Sequence, residues 1–89
     1  MTYKQELDQL RLDINQADKE IILAISKRLE IVKKIGRLKK KNNIEPLDES
    51  RWQFVIEMVT KLAQANGLNP KPVIEIYKIL HMHALKIES

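Results

Sequence analysis

Apolar residues recur through the first half of the chain at alternating spacings of three and four. They are Leu7, Leu10, Ile14, Ala17, Ile21, Ala24, Ile31, Ile35 and Leu38, and Ile25 and Val32 widen the stripe. This heptad seam predicts one helix from about residue 5 to 41. At 1.5 Å per residue such a helix is about 55 Å long. Lys39-Lys40-Lys41 suits its C-terminal end, and Asn42-Asn43 with Pro46 stops it. A second helix, about 49–65, starts at Asp48 or Ser50, either of which can cap it. It carries Trp52, Val55, Ile56, Val59, Leu62 and Ala63, and Asn66-Gly67 is its stop signal. A third helix, about 70–88, opens on Pro70 and Pro72 and carries Val73, Ile76, Tyr77, Leu80, Ala84 and Ile87.

The expected fold class is all-α, a single domain over residues 1–89. The two shorter helices reach about 25–28 Å each and cannot cover the first along its length. The uncovered seam must then meet a second copy. The geometry predicts an intertwined antiparallel homodimer whose long helices cross near Ile21–Ile25.

Composition narrows the chemistry. The 89 residues include no cysteine, which excludes disulfide scaffolds and thiolate metal sites. His81 and His83 lie two apart, on different faces of a helix, so no metal site is expected. No run of about 18 apolar residues is present, and Met1-Thr2-Tyr3-Lys4-Gln5-Glu6 has no apolar signal core. The expectation is a cytoplasmic protein with no membrane association. The net charge of +4 is uneven. Residues 27–41 hold eight Lys and Arg against Glu30, a balance of +7, which leaves −3 elsewhere. A local basic zone implies an anionic partner.

Arg28 breaks the seam, since position 28 in the heptad count should be apolar. An unpaired buried arginine is costly, so Arg28 snorkels, meets a carboxylate or lines a polar cavity. Lys39 lies eleven positions on, three turns at about 20° offset, and both long side chains can converge on one small anion. Arg11 is about 25 Å from Arg28 in its own chain. In the antiparallel dimer it falls opposite residue 35 or so of the partner, near Arg28 and Lys39. Arg51 is in line with Val55, Met58 and Leu62, which places it on an inward face, and Glu88 is in line with Tyr77, Leu80 and Ala84. Together they predict a polar pocket suited to a small, multiply charged anion. Such a pocket can accelerate a reaction by fixing a conformer and stabilising developing charge.

These residues carry a resemblance. Leu10-Arg11 with Ile14 and Asp18, Lys27-Arg28 with Gly36 and Lys39, Asp48-x-x-Arg51, and Gly67-Leu68 before the last helix resemble the all-helical chorismate mutases. The resemblance covers nearly all of the chain. It implies a three-helix intertwined dimer and a Claisen rearrangement of chorismate to prephenate that needs no cofactor. In the roles it implies, Arg11 reaches a substrate carboxylate from the partner chain and Arg28 binds a carboxylate. Lys39 donates to the ether oxygen and a carboxylate, and Asp48 and Arg51 bind the ring side. The resemblance makes Lys39, Arg28 and Glu88 the catalytic set.

Three positions depart from the best-known bacterial pattern. Trp52 stands where a glutamate usually receives the substrate hydroxyl, Ala84 replaces a small polar residue, and Glu88 stands where a glutamine donates to the ether oxygen. A carboxylate cannot donate, so Glu88 must be protonated to take that part. Activity is then expected to fall as pH rises. Trp52 leaves open two further activities known on this fold, isochorismate-pyruvate lyase and 4-amino-4-deoxychorismate mutase.

Each residue also has a plainer reading. Lys33, Lys34, Arg37, Lys40 and Lys41 read as a solvated face, Asp48 as a helix cap, Trp52 as packing, and His81 and His83 as surface or interface residues without a catalytic part. A non-enzymatic helical dimer that binds an acidic partner through residues 27–41 is the competing class. Nucleic acid is not the expected partner, because the zone lacks interleaved aromatics and helix-turn-helix spacing.

Overall fold

The computed structural model describes residues 1–89 and contains three helices, α1 (Tyr3–Lys41), α2 (Glu49–Ala65) and α3 (Pro70–Glu88). The all-helical class and the three elements match the sequence reading. No helix is long and apolar enough to cross a membrane.

α1 starts two residues earlier than its apolar seam indicates, because a capping box sits ahead of the seam. The Thr2 hydroxyl accepts from the Gln5 amide at 3.2 Å, and the Gln5 side chain accepts from the Thr2 amide at 2.9 Å. Two helices end in the same way. At the end of α1, Asn43 adopts φ 55°, Ile44 N–H donates to Lys39 C=O and Asn43 N–H to Lys40 C=O. At the end of α2, Gly67 adopts φ 71°, Leu68 N–H donates to Ala63 C=O and Gly67 N–H to Gln64 C=O. Both are Schellman closures, which satisfy the last carbonyls and turn the chain sharply. Asp48 caps α2, and Asn69 caps α3 just before Pro70.

The chain divides into two compact units, Met1–Ile31 and Val32–Ser89. The first is helical from Tyr3 onward. In the second, α2 packs on α3, and the buried uncharged positions are small: Val55, Val59 and Ala63 at four-residue intervals on α2, Ala84 on α3, and Val32 and Gly36 on α1. No large side chain is fully buried. The seam of α1 is open to solvent, with Leu10, Ile14, Ile21 and Leu38 between 55% and 62% exposed.

Candidate active site around Lys39 and Glu88

Lys39 is the centre of a polar cluster in the second unit. It sits in the last turn of α1, where its ammonium donates to Glu88 Oε1 at 2.6 Å and to the Pro46 carbonyl. Glu88 is the buried charged residue of the fold, 8% exposed, and Lys39 is half-buried beside it. A carboxylate so placed needs a cationic hydrogen-bond partner, and Lys39 supplies one.

Gly36 makes this approach possible. A Cβ at position 36 would lie 3.1 Å from Glu88 Cα and 3.4 Å from its Cγ. The missing side chain lets the end of α3 lie directly against α1, one turn before Lys39.

Asp48 belongs to the same neighbourhood. Its carboxylate accepts from the Arg51 amide at 3.1 Å and from the Ser50 hydroxyl at 2.8 Å. The Arg51 amide, then the Ser50 hydroxyl, hold its carboxyl below the ordinary aspartate range, and the positive charge of Lys39 acts in the same direction. The folded-state value therefore lies below the unfolded one. The stabilisation is fully present above the ordinary aspartate value and is lost as pH falls through the lowered one. An Asp48→Asn protein, whose cap carries no charge, is expected to lose less thermal stability than the parent on acidification below about pH 4. Thermal unfolding followed at several pH values checks this, and parallel loss in the two proteins would contradict it.

The other candidates divide. Ala84 is buried one turn before Glu88 on α3. Trp52 lies one turn after Asp48 on α2, and its indole stacks on the His81 imidazole with centroids 4.0 Å apart and planes 9° from parallel. Arg51 is exposed, with its guanidinium 5.0 Å from the Phe54 ring, so its alignment with Val55 does not carry it inward within one chain. In the first unit Arg28 is half-buried and Arg11 exposed. Two participants escape sequence reasoning. The Pro46 carbonyl has no signature in the residue pattern. His81 does share a face of α3 with Ala84 and Glu88, three and seven positions on, and that register was its signal.

Chemically, the cluster offers an aimed ammonium, a buried carboxylate beside it, and aromatic surface one or two turns away. It holds no group of three or more residues that could bind a metal ion.

Residues 10–89 match the family model for chorismate mutase type II. The chain belongs to the chorismate mutase type II family. It is 31% identical over 80 residues to a bifunctional chorismate mutase/prephenate dehydratase of Buchnera aphidicola, covering 90% of this chain and 21% of that protein. A chorismate mutase of Methanocaldococcus jannaschii is 24% identical over 79 residues, 89% of this chain and 80% of that protein. A 4-amino-4-deoxychorismate mutase of Streptomyces venezuelae is 20% identical over 89 residues, 100% of this chain and 86% of that protein. The chain thus spans about a fifth of the bifunctional relatives and most of the two others.

Proposed function

We propose that the chain is a chorismate mutase that converts chorismate to prephenate as an intertwined antiparallel homodimer. The observation that carries this reading is the Lys39–Glu88 contact, built by helix ends of a type II family chain. The rearrangement is intramolecular: the ether C–O bond breaks as a C–C bond forms, and no atom enters or leaves. The protein's part is to hold the compact conformer and stabilise the negative charge that develops on the ether oxygen.

In this reading Arg28 and the partner chain's copy of Arg11 hold the two carboxylates, and Lys39 donates to the ether oxygen. Glu88 acts beside Lys39, either as a protonated donor or as the acceptor that aims the ammonium. Asp48, Arg51, Trp52 and Ala84 line the ring side. The exposed α1 seam supports the dimer, since each such side chain contributes about 1.5–3 kcal/mol when fully buried. A cytoplasmic location goes with this reading.

Product analysis with chorismate, isochorismate and 4-amino-4-deoxychorismate tests it. Prephenate from chorismate is the expected result. Pyruvate with salicylate from isochorismate, and chorismate untouched, would move the activity to the lyase. Turnover of the amino compound alone would move it toward the function named for the Streptomyces relative. If none of the three reacts, the chain is no enzyme of this group.

Gly36→Ala separates packing from chemistry. Alanine favours the helix over glycine by about 1 kcal/mol, while its methyl presses on the backbone of Glu88. The last turn of α3 must give by a few tenths of an ångström. Expected are a melting temperature close to the parent's and a loss of about tenfold in kcat/KM through displacement of Glu88 from Lys39. Parent-like kinetics would show that this spacing is not critical.

A further inference from the structure

His81 is absent from the roles assigned above, yet it shares a face of α3 with Glu88 and stacks on Trp52. Lys39 touches Glu88 at 2.6 Å. Glu88, Ala84 and His81 follow one another along a single face of α3. His81 stacks on Trp52 at 4.0 Å. Trp52 N–H donates to Asp48 C=O at 3.0 Å, one turn back on α2, and the charge of Lys39 acts on Asp48. The Trp52–His81 pair thus forms an aromatic wall within Val32–Ser89, two turns along α3 from Glu88 and one turn along α2 from Asp48.

That wall has a polar edge. The indole covers one face of the imidazole, so the ring's remaining chemistry lies in its plane, at Nδ1 and Nε2. Neither nitrogen makes a hydrogen bond within the chain, although His81 is half-buried. Imidazole can donate from one nitrogen and accept at the other, which suits a hydroxyl or amino substituent on a small ring. The near-parallel stack fixes the plane of the imidazole, so such a bond costs little further ordering.

We propose that His81 is a further substrate-binding residue of this site, whose imidazole edge hydrogen-bonds the polar substituent of the substrate ring while its face rests on Trp52. This rests on the mutase reading above. It assigns Trp52 two parts at once, as apolar wall and as the platform that orients the histidine. Discrimination between a hydroxyl and an amino substituent then falls to His81, because a site built to hydrogen-bond one group rejects an analogue that leaves its polar atoms unpaired.

Two variants separate hydrogen bonding from stacking. His81→Phe keeps an aromatic ring on Trp52 and removes both nitrogens. His81→Gln keeps a polar edge and removes the ring. The expected result is a loss of about tenfold or more in kcat/KM for His81→Phe, carried by KM, with partial retention in His81→Gln. If the parent converts its substrate and His81→Phe stays within about threefold of it, the histidine is only a packing residue and the proposal is overturned. If the parent converts none of the three compounds, the mutase reading fails instead.

A second measurement needs no variant and covers the case in which His81→Phe fails to fold. Trp52 is the only tryptophan, so its emission reports on the wall. Titration of the parent protein with prephenate is expected to change that emission saturably. An unchanged emission at prephenate concentrations that inhibit turnover would place the ring away from the Trp52–His81 pair and overturn the proposal.

Discussion

Lys39→Ala is expected to lower kcat/KM for chorismate by about 10²–10³-fold, with most of the loss in kcat. The size follows from where charge develops. Lys39 is the cation that Glu88 and the Pro46 carbonyl hold in a half-buried place at the end of α1. An ammonium positioned in advance costs no reorganisation at the moment the C–O bond breaks, and a partly water-excluded site strengthens its field. The substitution also leaves Glu88 buried without its cation, so stability must be measured beside rate. Glu88→Gln provides the control. Its amide keeps a hydrogen-bonding group near Lys39 and donates at every pH. If Glu88 serves as a protonated donor, the parent's activity, assayed from about pH 5 to 8, falls as pH rises and the glutamine variant's profile is flat. A flat parent profile would leave Glu88 as the acceptor that aims Lys39. Steady-state kinetics across that range, with circular dichroism of each variant, decide between the two. A Lys39→Ala protein that folds and retains parent-like kcat would remove Lys39 from the chemistry.

The helices were legible because their signals are local. The α1 seam, the Asp48 cap, the Asn66-Gly67 stop and the Pro70 start each act within a few residues, and the element bounds agree to within two positions. The earlier start of α1 was legible too, in Thr2-x-x-Gln5, but a search led by apolar spacing begins at Leu7 and passes over it. The site was readable only in part. Residue pattern ties Lys39 to the seam-breaking Arg28 and puts Glu88 in line with the apolar stripe of α3, but the contact of Lys39 with Glu88 joins residues 49 apart and depends on two Schellman turns and the gap at Gly36. No local rule supplies that register. Arg51 shows the opposite failure. Its alignment with Val55 suggests an inward face, yet in the first turn of α2 it is exposed and its guanidinium settles over Phe54. His81 reads as a surface or interface residue because its register with Ala84 and Glu88 points to the site only once its stacking partner Trp52 is known.

The largest remaining effect concerns the pairing of chains. Leu10, Ile14, Ile21 and Leu38 stay open to water in one copy, and a seam of that length is too apolar to be left so. A second copy laid antiparallel covers it with its own seam, since an isologous contact is self-complementary. Such a crossing carries Arg11 of each chain toward the second half of the other's α1, where the basic zone lies. Arg11→Ala and Arg28→Ala are each expected to reduce kcat/KM by about 10²-fold or more, since each removes a charged carboxylate contact. Mixed, the two inactive proteins should recover activity. In a mixed dimer one site receives both substitutions, while the other takes its Arg11 from the Arg28→Ala chain and its Arg28 from the Arg11→Ala chain and is intact. Random exchange of equal amounts makes half of the dimers mixed, with one intact site in each, so about a quarter of parental activity is expected. Exchange followed by mass spectrometry of differently tagged chains must accompany the assay. Mixed dimers without recovered activity would mean that each site draws both arginines from one chain, and the antiparallel crossing would have to be abandoned.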